Sequence, residues 1–183
     1  MEQKISLHDK TFRLFIPNET LEKAIDALAA RLNKDYANCT DKHPALLLCT
    51  LNGAVIFTAE LLKRLTFPLE LKACKLSSYK GTTSTGVVTT EVPLPANIAG
   101  RRVIIVEDIV DTGTTIEALF HQLRENQVQD ISVCTMFLKP EVYKKSIPLQ
   151  YVALEIPNKF VVGFGLDYDE LGRNTKDLYV LDI

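Results

Sequence analysis

Three observations predict an α/β domain built on a mainly parallel central sheet flanked by helices. Short apolar runs recur at residues 45–50 (ALLLCT), 103–106 (VIIV) and Asp130–Leu138, as strands buried on both faces do. The first two runs lead through small-residue turns into helical patterns, the alternation expected of parallel α/β architecture. The chemically distinctive residues all fall at strand ends or in loops, where such sheets bind ligands.

Taken in order, residues 1–16 show apolar alternation at Phe12, Leu14 and Ile16 that can add a strand. Pro17, Asn18, Glu19 and Thr20 signal a helix start, and Leu21, Ile25, Leu28, Ala29, Leu32 and Tyr36 then recur at helical spacing. This helix covers a core. After the strand at residues 45–50 come Leu51, Asn52 and Gly53, then a helix over residues 54–65. Gly53 lets a ligand approach the backbone closely, although the same tripeptide also suits a routine turn. Residues 69–76 read as a strand ending at Ser77, Ser78 and Tyr79, and residues 80–90 (KGTTSTGVVTT) as a loop with little to bury. Lys139 closes the apolar run Asp130–Leu138, residues 140–148 form a polar excursion, residues 151–156 lead into the segment that begins at Pro157, and a final short strand is expected at residues 178–183.

The stretch at residues 101–119, RRVIIVEDIVDTGTTIEAL, organises the rest. Its apolar strand ends at two adjacent carboxylates, Glu107 and Asp108. Asp111, Thr112, Gly113, Thr114 and Thr115 follow, and a helix begins at Ile116. A strand, a small-residue turn and a helix N-terminus together present free backbone N–H groups and the positive end of a helix dipole to an anion. Carboxylates repel a bare phosphate, but they accept hydrogen bonds from sugar hydroxyls and can share Mg2+. The stretch therefore suits a sugar phosphate. Taken alone, Thr114-x-x-Glu117 is also a capping box on an ordinary helix, a reading that leaves three acids within five residues unexplained.

Composition narrows the classes. Of 183 residues, 46% are hydrophobic and 24% charged, ordinary values for one globular domain. A formal net charge of −2 without a basic block argues against nucleic acid as a partner. No apolar run approaches the ~20 residues of a membrane span, so no membrane role is expected. The N-terminal MEQKISLHDK has no apolar signal core, which points to a cytoplasmic protein. Cys39, Cys49, Cys74 and Cys134 show no CxxC pair and read as single buried thiols in a reducing compartment. The lack of a GxxxxGK[ST] run argues against a kinase-type nucleotide site.

The run VIIVEDIVDTGTT resembles the diphosphoribosyl-binding motif of the type I phosphoribosyltransferases, and Glu-Asp-Ile-x-Asp-Thr-Gly resembles their hypoxanthine-guanine branch. The resemblance continues in ordered blocks from Leu51 to Arg173 and implies that family's fold, with a small hood formed by about residues 1–16 and 150–183. It implies transfer of a phosphoribosyl group from 5-phosphoribosyl 1-diphosphate to N9 of a 6-oxopurine. In that scheme Leu51, Asn52 and Gly53 bind pyrophosphate through a loop that carries a cis peptide between its first two residues. The middle residue is basic in many relatives and is Asn52 here, which leaves the backbone contacts. Glu107 and Asp108 would hold the ribose hydroxyls and bind Mg2+. Thr112, Gly113, Thr114 and Thr115 cradle the 5-phosphate, and Asp111 is the candidate general base. Lys139 would donate to the exocyclic oxygen, since adenine would set a donor against a donor. Phe160 would stack on the purine, backbone around Val161 would read its edge, Asp167 would orient a second Mg2+ largely through water, and Arg173 would contact pyrophosphate. Ser78 and Tyr79 would close over the transition state and exclude water.

Two rivals follow from the same residues. One is a ligand sensor that has kept the fold and lost catalysis, against which the intact set of Asp111, Lys139, Asp167 and Arg173 counts. The other is a sister transferase preferring xanthine. The resemblance also implies a homodimer or homotetramer.

Overall fold

The structure, a computed structural model, describes residues 3–78 and 88–182. Two sheets divide the chain. Six strands form the central sheet in the order β5-β4-β3-β6-β7-β8, where β3 is Ala45–Thr50, β4 Leu69–Ser78, β5 Val88–Val92, β6 Arg102–Val110, β7 Asp130–Leu138 and β8 Tyr151–Glu155. All neighbours in it are parallel except β4 and β5. Four antiparallel strands form the hood in the order β1-β2-β10-β9, with β1 at Lys4–Leu7, β2 at Lys10–Ile16, β9 at Val161–Val162 and β10 at Leu178–Leu181.

The buried runs work as strands because alternate side chains serve opposite faces. Leu47, Ile104, Val106, Cys134 and Met136 join one core, with residues of α1 (Asn18–Asp35) and α2 (Ala54–Leu62). Leu46, Leu48, Val103, Ile105, Ile131 and Val133 join the other, beneath Ile116, Leu119 and Leu123 of α3 (Thr114–Glu125). The five apolar positions read from helical spacing in α1 are all buried. Pro17 at its N-cap offers no side-chain acceptor. The carboxylate of Asp177, 159 residues away, takes the Asn18 N–H at 2.7 Å instead. Arg64, just beyond α2, pairs with Glu22 and Asp26 of α1 and with Glu60, tying the two helices together. No helix among the described residues is long and apolar enough to cross a membrane.

Several boundaries differ from the sequence expectation. Residues 88–90, expected in a loop, belong to β5, which pairs antiparallel with β4. The strand carrying the acids does not end at Val106 but runs to Val110, because Ile109 and Val110 pair with Phe137 and Leu138. The helix after Gly53 stops at Leu62 rather than near residue 65. Residues 151–155, expected within the hood, form β8 of the central sheet, where Cys134 pairs with Tyr151 in parallel register. The C-terminal part of the hood sheet therefore starts at β9.

Chain order reverses between β3 and β6: β3 connects through α2 to one side, and β6 connects through α3 to the other. Ligands in open α/β sheets bind beyond the carboxyl ends of strands at such a switch point. The Leu51–Gly53 loop and the carboxylates of β6 meet there.

Candidate active site

Glu107 and Asp108 occupy consecutive positions in β6. Glu107 is 8% exposed, and its Oε1 accepts a 2.8 Å hydrogen bond from the Thr50 hydroxyl. Its Oε2 is buried without a hydrogen-bond partner among the described residues. Burial first, and then the charge of Asp108, pushes the Glu107 carboxyl well above the ordinary range. Asp108 Oδ1 accepts the Ile109 N–H at 2.8 Å. Its Oδ2 abuts Gly53: a Cβ placed there would lie 1.5 Å from that oxygen. The 51–53 loop and the acids are thus in direct contact, and the expected cis peptide is present between Leu51 and Asn52. Asn52 is exposed.

The turn after β6 leaves the start of α3 without a side-chain cap. Gly113 precedes α3 with φ +84°, which favours glycine. The capping-box alternative is not formed, because Gly113 and not Thr114 holds the N-cap position, and the Glu117 carboxylate accepts from Lys145 Nζ at 2.7 Å. First-turn N–H groups and the Thr112 and Thr114 hydroxyls, 3.1 Å apart, are left facing the turn. Glu107, Asp111, Thr112, Gly113, Thr114 and Thr115 line one small cavity of about 90 Å3.

A second cavity of about 220 Å3 adjoins it, lined by Ile109, Asp111, Lys139, Phe160, Val161, Leu166 and Asp167. Lys139 is 8% exposed and reaches Asp111 Oδ2 at 3.1 Å. Phe160 is 46% exposed, a large exposure for an aromatic ring and one suited to stacking. Tyr168 stands edge-on to it at 5.8 Å and donates its hydroxyl to Asp9 at 2.7 Å. Arg173 binds Asp167 Oδ1 at 2.8 Å and the Gly165 carbonyl at 2.9 Å.

The structure therefore brings Asp111, Lys139, Phe160, Val161 and Asp167 to one pocket, and Glu107 with the 112–115 turn to its neighbour. Leu51, Asn52, Gly53 and Arg173 stand around them. Ser78 ends β4, with its side chain outside what the structure describes, and Tyr79 lies outside the described residues. Sequence reasoning missed Ile109 and Leu166, which wall the larger pocket, and Thr50, which holds Glu107. Thr50 carried a faint signal as a hydroxyl closing an otherwise apolar strand.

The carboxylates admit a divalent cation. Glu107 has an unpartnered buried oxygen beside the charge of Asp108, an arrangement that a cation would relieve. Asp167 engages both oxygens already, one with Arg173 and one with the Glu170 N–H, so an ion there is met through water or by exchanging the arginine. No ready-made cluster of three or more His, Cys, Asp or Glu occurs among the described residues.

Comparison with known proteins gives the family of the chain. The phosphoribosyl transferase domain family model matches residues 17–169. The hypoxanthine-guanine phosphoribosyltransferase of Streptococcus thermophilus is 40% identical over 170 residues, 92% of each chain. The hypoxanthine-guanine-xanthine phosphoribosyltransferase of Tritrichomonas foetus is 37% identical over 175 residues, 94% of this chain and 93% of that one. Among solved structures, a Staphylococcus aureus hypoxanthine phosphoribosyltransferase superposes with a TM-score of 0.84 at 35% identity, covering 92% of this chain and 90% of that one. The Trypanosoma cruzi hypoxanthine phosphoribosyl transferase gives 0.87 at 30% identity, with 97% and 95% covered. The chain belongs to the type I phosphoribosyltransferase family, in its hypoxanthine-guanine branch.

Proposed function

We propose that this chain is a purine-salvage transferase that moves the phosphoribosyl group of 5-phosphoribosyl 1-diphosphate to N9 of hypoxanthine, and of guanine, giving IMP or GMP and pyrophosphate. The observation that carries the reading is the pairing of Lys139 with Asp111 in a pocket walled by Phe160. An ammonium and a carboxylate beside an aromatic platform match a 6-oxopurine, whose O6 accepts a hydrogen bond and whose ring nitrogen must lose a proton.

The 5-phosphate sits on the uncapped turn of Thr112, Gly113, Thr114 and Thr115, and Glu107 and Asp108 accept from the ribose hydroxyls. The C1–O bond to pyrophosphate breaks as N9 supplies the pair for the new C1–N bond, and Asp111 accepts the proton released from N7. Positive charge developing on the ribose is favoured by the nearby carboxylates. Lys139 fixes O6, and Phe160 and Ile109 wall the ring. Leu51, Asn52 and Gly53, with Arg173, receive the pyrophosphate, and Ser78 and Tyr79 close over the site. The family's use of Mg2+ fits Glu107 and Asp108, with Asp167 supporting a second ion through water; the ion would neutralise charge on the leaving group. Self-association into a dimer or tetramer is part of the proposal, supported by exposed Val55 and Ile56 on α2 and Leu71 on β4. Free, buried cysteines support a cytoplasmic setting.

The test is product formation from 5-phosphoribosyl 1-diphosphate and Mg2+ with hypoxanthine, guanine, xanthine and adenine in parallel. Turnover of hypoxanthine with adenine rejected is the expected result, and the xanthine rate separates this reading from a xanthine-preferring sister. Diphosphate binding without turnover of any base would move the chain to the sensor class.

A further inference from the structure

Thr50 ends β3 immediately before the Leu51–Gly53 loop, and its side chain is buried at 6% exposure. Its Oγ1 lies 2.9 Å from the Val106 carbonyl and 2.8 Å from Glu107 Oε1. Both acceptors belong to β6, whose Val106 is in register with Cys49 of β3. The hydroxyl therefore spans the switch point, from the strand that delivers the loop to the strand that delivers the acids.

A buried hydroxyl is costly unless it is bonded, and the other strand positions here carry apolar side chains. Two acceptors within reach of one proton hold the hydroxyl in place. Glu107 in turn has one oxygen fixed by Thr50 and one, Oε2, with no partner among the described residues. A glutamate has three freely turning bonds, so its carboxylate can serve a site only if it is held in place. A lysine or arginine in the same place would hold it too but would cancel its charge. Threonine holds it with a neutral donor.

We propose that Thr50 is a positioning residue for Glu107: its hydroxyl fixes Oε1 and so sets where the carboxylate stands beside the ribose of the diphosphate substrate. The inference rests on the ribose role given to Glu107 above. Without the hydroxyl, Oε1 loses that bond, and the side chain turns away from the bound sugar.

The test compares wild type, Thr50→Val and Thr50→Ser by calorimetric titration of 5-phosphoribosyl 1-diphosphate with MgCl2 and by steady-state kinetics with hypoxanthine. Valine keeps the shape and removes the hydroxyl, whereas serine keeps the hydroxyl. The expected loss for Thr50→Val is about tenfold or more in diphosphate affinity and in kcat/KM for the diphosphate, the scale of one hydrogen bond to a charged group. The hypoxanthine KM should stay within about twofold, and Thr50→Ser should return within about threefold of wild type. In a Glu107→Gln background, Thr50→Val should weaken diphosphate binding no further, because the group it positions is already altered. Unchanged diphosphate affinity in Thr50→Val would overturn the inference. So would failure of serine to rescue, equal losses for both substrates, or a full additional loss in the Glu107→Gln background. A wild type that binds diphosphate yet transfers to no base would defeat the transferase reading alone, since the titrations still decide the role of Thr50.

Discussion

Lys139 Nζ stands 3.1 Å from Asp111 Oδ2, joining the end of β7 to the turn that follows β6. The ammonium is nearly buried, with its side chain 10% exposed, while the Asp111 side chain is 47% exposed. A buried cation needs a counter-charge, and here that charge belongs to the candidate base. The two roles proposed for a 6-oxopurine, donation to O6 and acceptance of the N7 proton, are thus held in one pair facing one pocket.

Replacing the ammonium should relax base selection. With Lys139→Gln, an amide that can turn either its donor or its acceptor to C6 replaces an obligate donor. The kcat/KM for hypoxanthine should fall about 10- to 100-fold, and the preference over adenine should narrow by a similar factor. Parallel assays with both bases check this; an unchanged ratio would remove Lys139 from the specificity role.

Replacing the carboxylate should separate chemistry from binding. Asp111→Asn keeps an oxygen within reach of Lys139 but is no longer a base. Turnover should drop about 10²- to 10⁴-fold while diphosphate affinity stays within about threefold. Single-turnover rates together with calorimetric titration test the split, and equal losses in both would argue against the base.

The strands were legible because each buried run is apolar and its alternate residues, such as Leu47 against Leu46 and Leu48, reach opposite cores. The continuation of β6 through Glu107 and Asp108 was not legible. Adjacent acids read locally as the end of a strand, and only pairing of Ile109 and Val110 with β7 keeps them inside the ladder. The sheet to which β8 belongs was hidden for the same kind of reason, since its partner β7 lies beyond a polar excursion. Site residues carried by the motif, from Asp111 to Thr115, could be named in advance. Thr50, Ile109 and Leu166 could not, because their roles depend on neighbours brought in by tertiary contacts. The capping of α1 by Asp177 is equally non-local.

Glu107 should make stability depend on pH. Its folded-state carboxyl holds a proton more tightly than in the unfolded chain, because of burial and then Asp108. Between the unfolded and folded values the native state binds more protons, so stability is full below the unfolded value and is lost as pH rises through the folded one. Each unit of such a rise corresponds to about 1.4 kcal/mol. Glu107→Gln should therefore melt higher than wild type at pH 8, with the gap closing toward pH 4, and should lose transferase activity. Melting curves across that range check it; a gap that grows on acidification would contradict the assignment.

The four cysteines should be inert in the folded protein. All are free and buried, and Cys74 is pushed up to about 12 by burial and then by the Glu107 charge, leaving little thiolate near neutrality. Titration with a chromogenic disulfide at pH 8 should report almost no reactive thiol in the native state and four after denaturation.

The contact between Gly53 and Asp108 should be the least tolerant point of the site. Gly53 has φ −63°, a conformation open to any residue, so the demand for glycine there is steric. An alanine Cβ would lie 1.5 Å from Asp108 Oδ2 and 2.6 Å from its carboxyl carbon. Asp108 is short and is held at Oδ1 by the Ile109 N–H, so it can yield only by giving up that bond or by moving the loop. The carbonyl of Gly53 is equally hemmed in, 2.1 Å from where a Cβ on Gly165 would stand. Gly53→Ala should therefore reduce kcat/KM for the diphosphate by about 100-fold or more, through displacement of ribose and pyrophosphate groups together, while the melting temperature changes by a few degrees at most. Asn52→Ala, one residue away and exposed, should stay within about threefold of wild type, because the loop's contacts there come from backbone. Diphosphate titration and kinetics on the two variants decide the matter. A benign Gly53→Ala beside a damaging Asn52→Ala would mean that the loop works through its side chain, not through its close approach to Asp108.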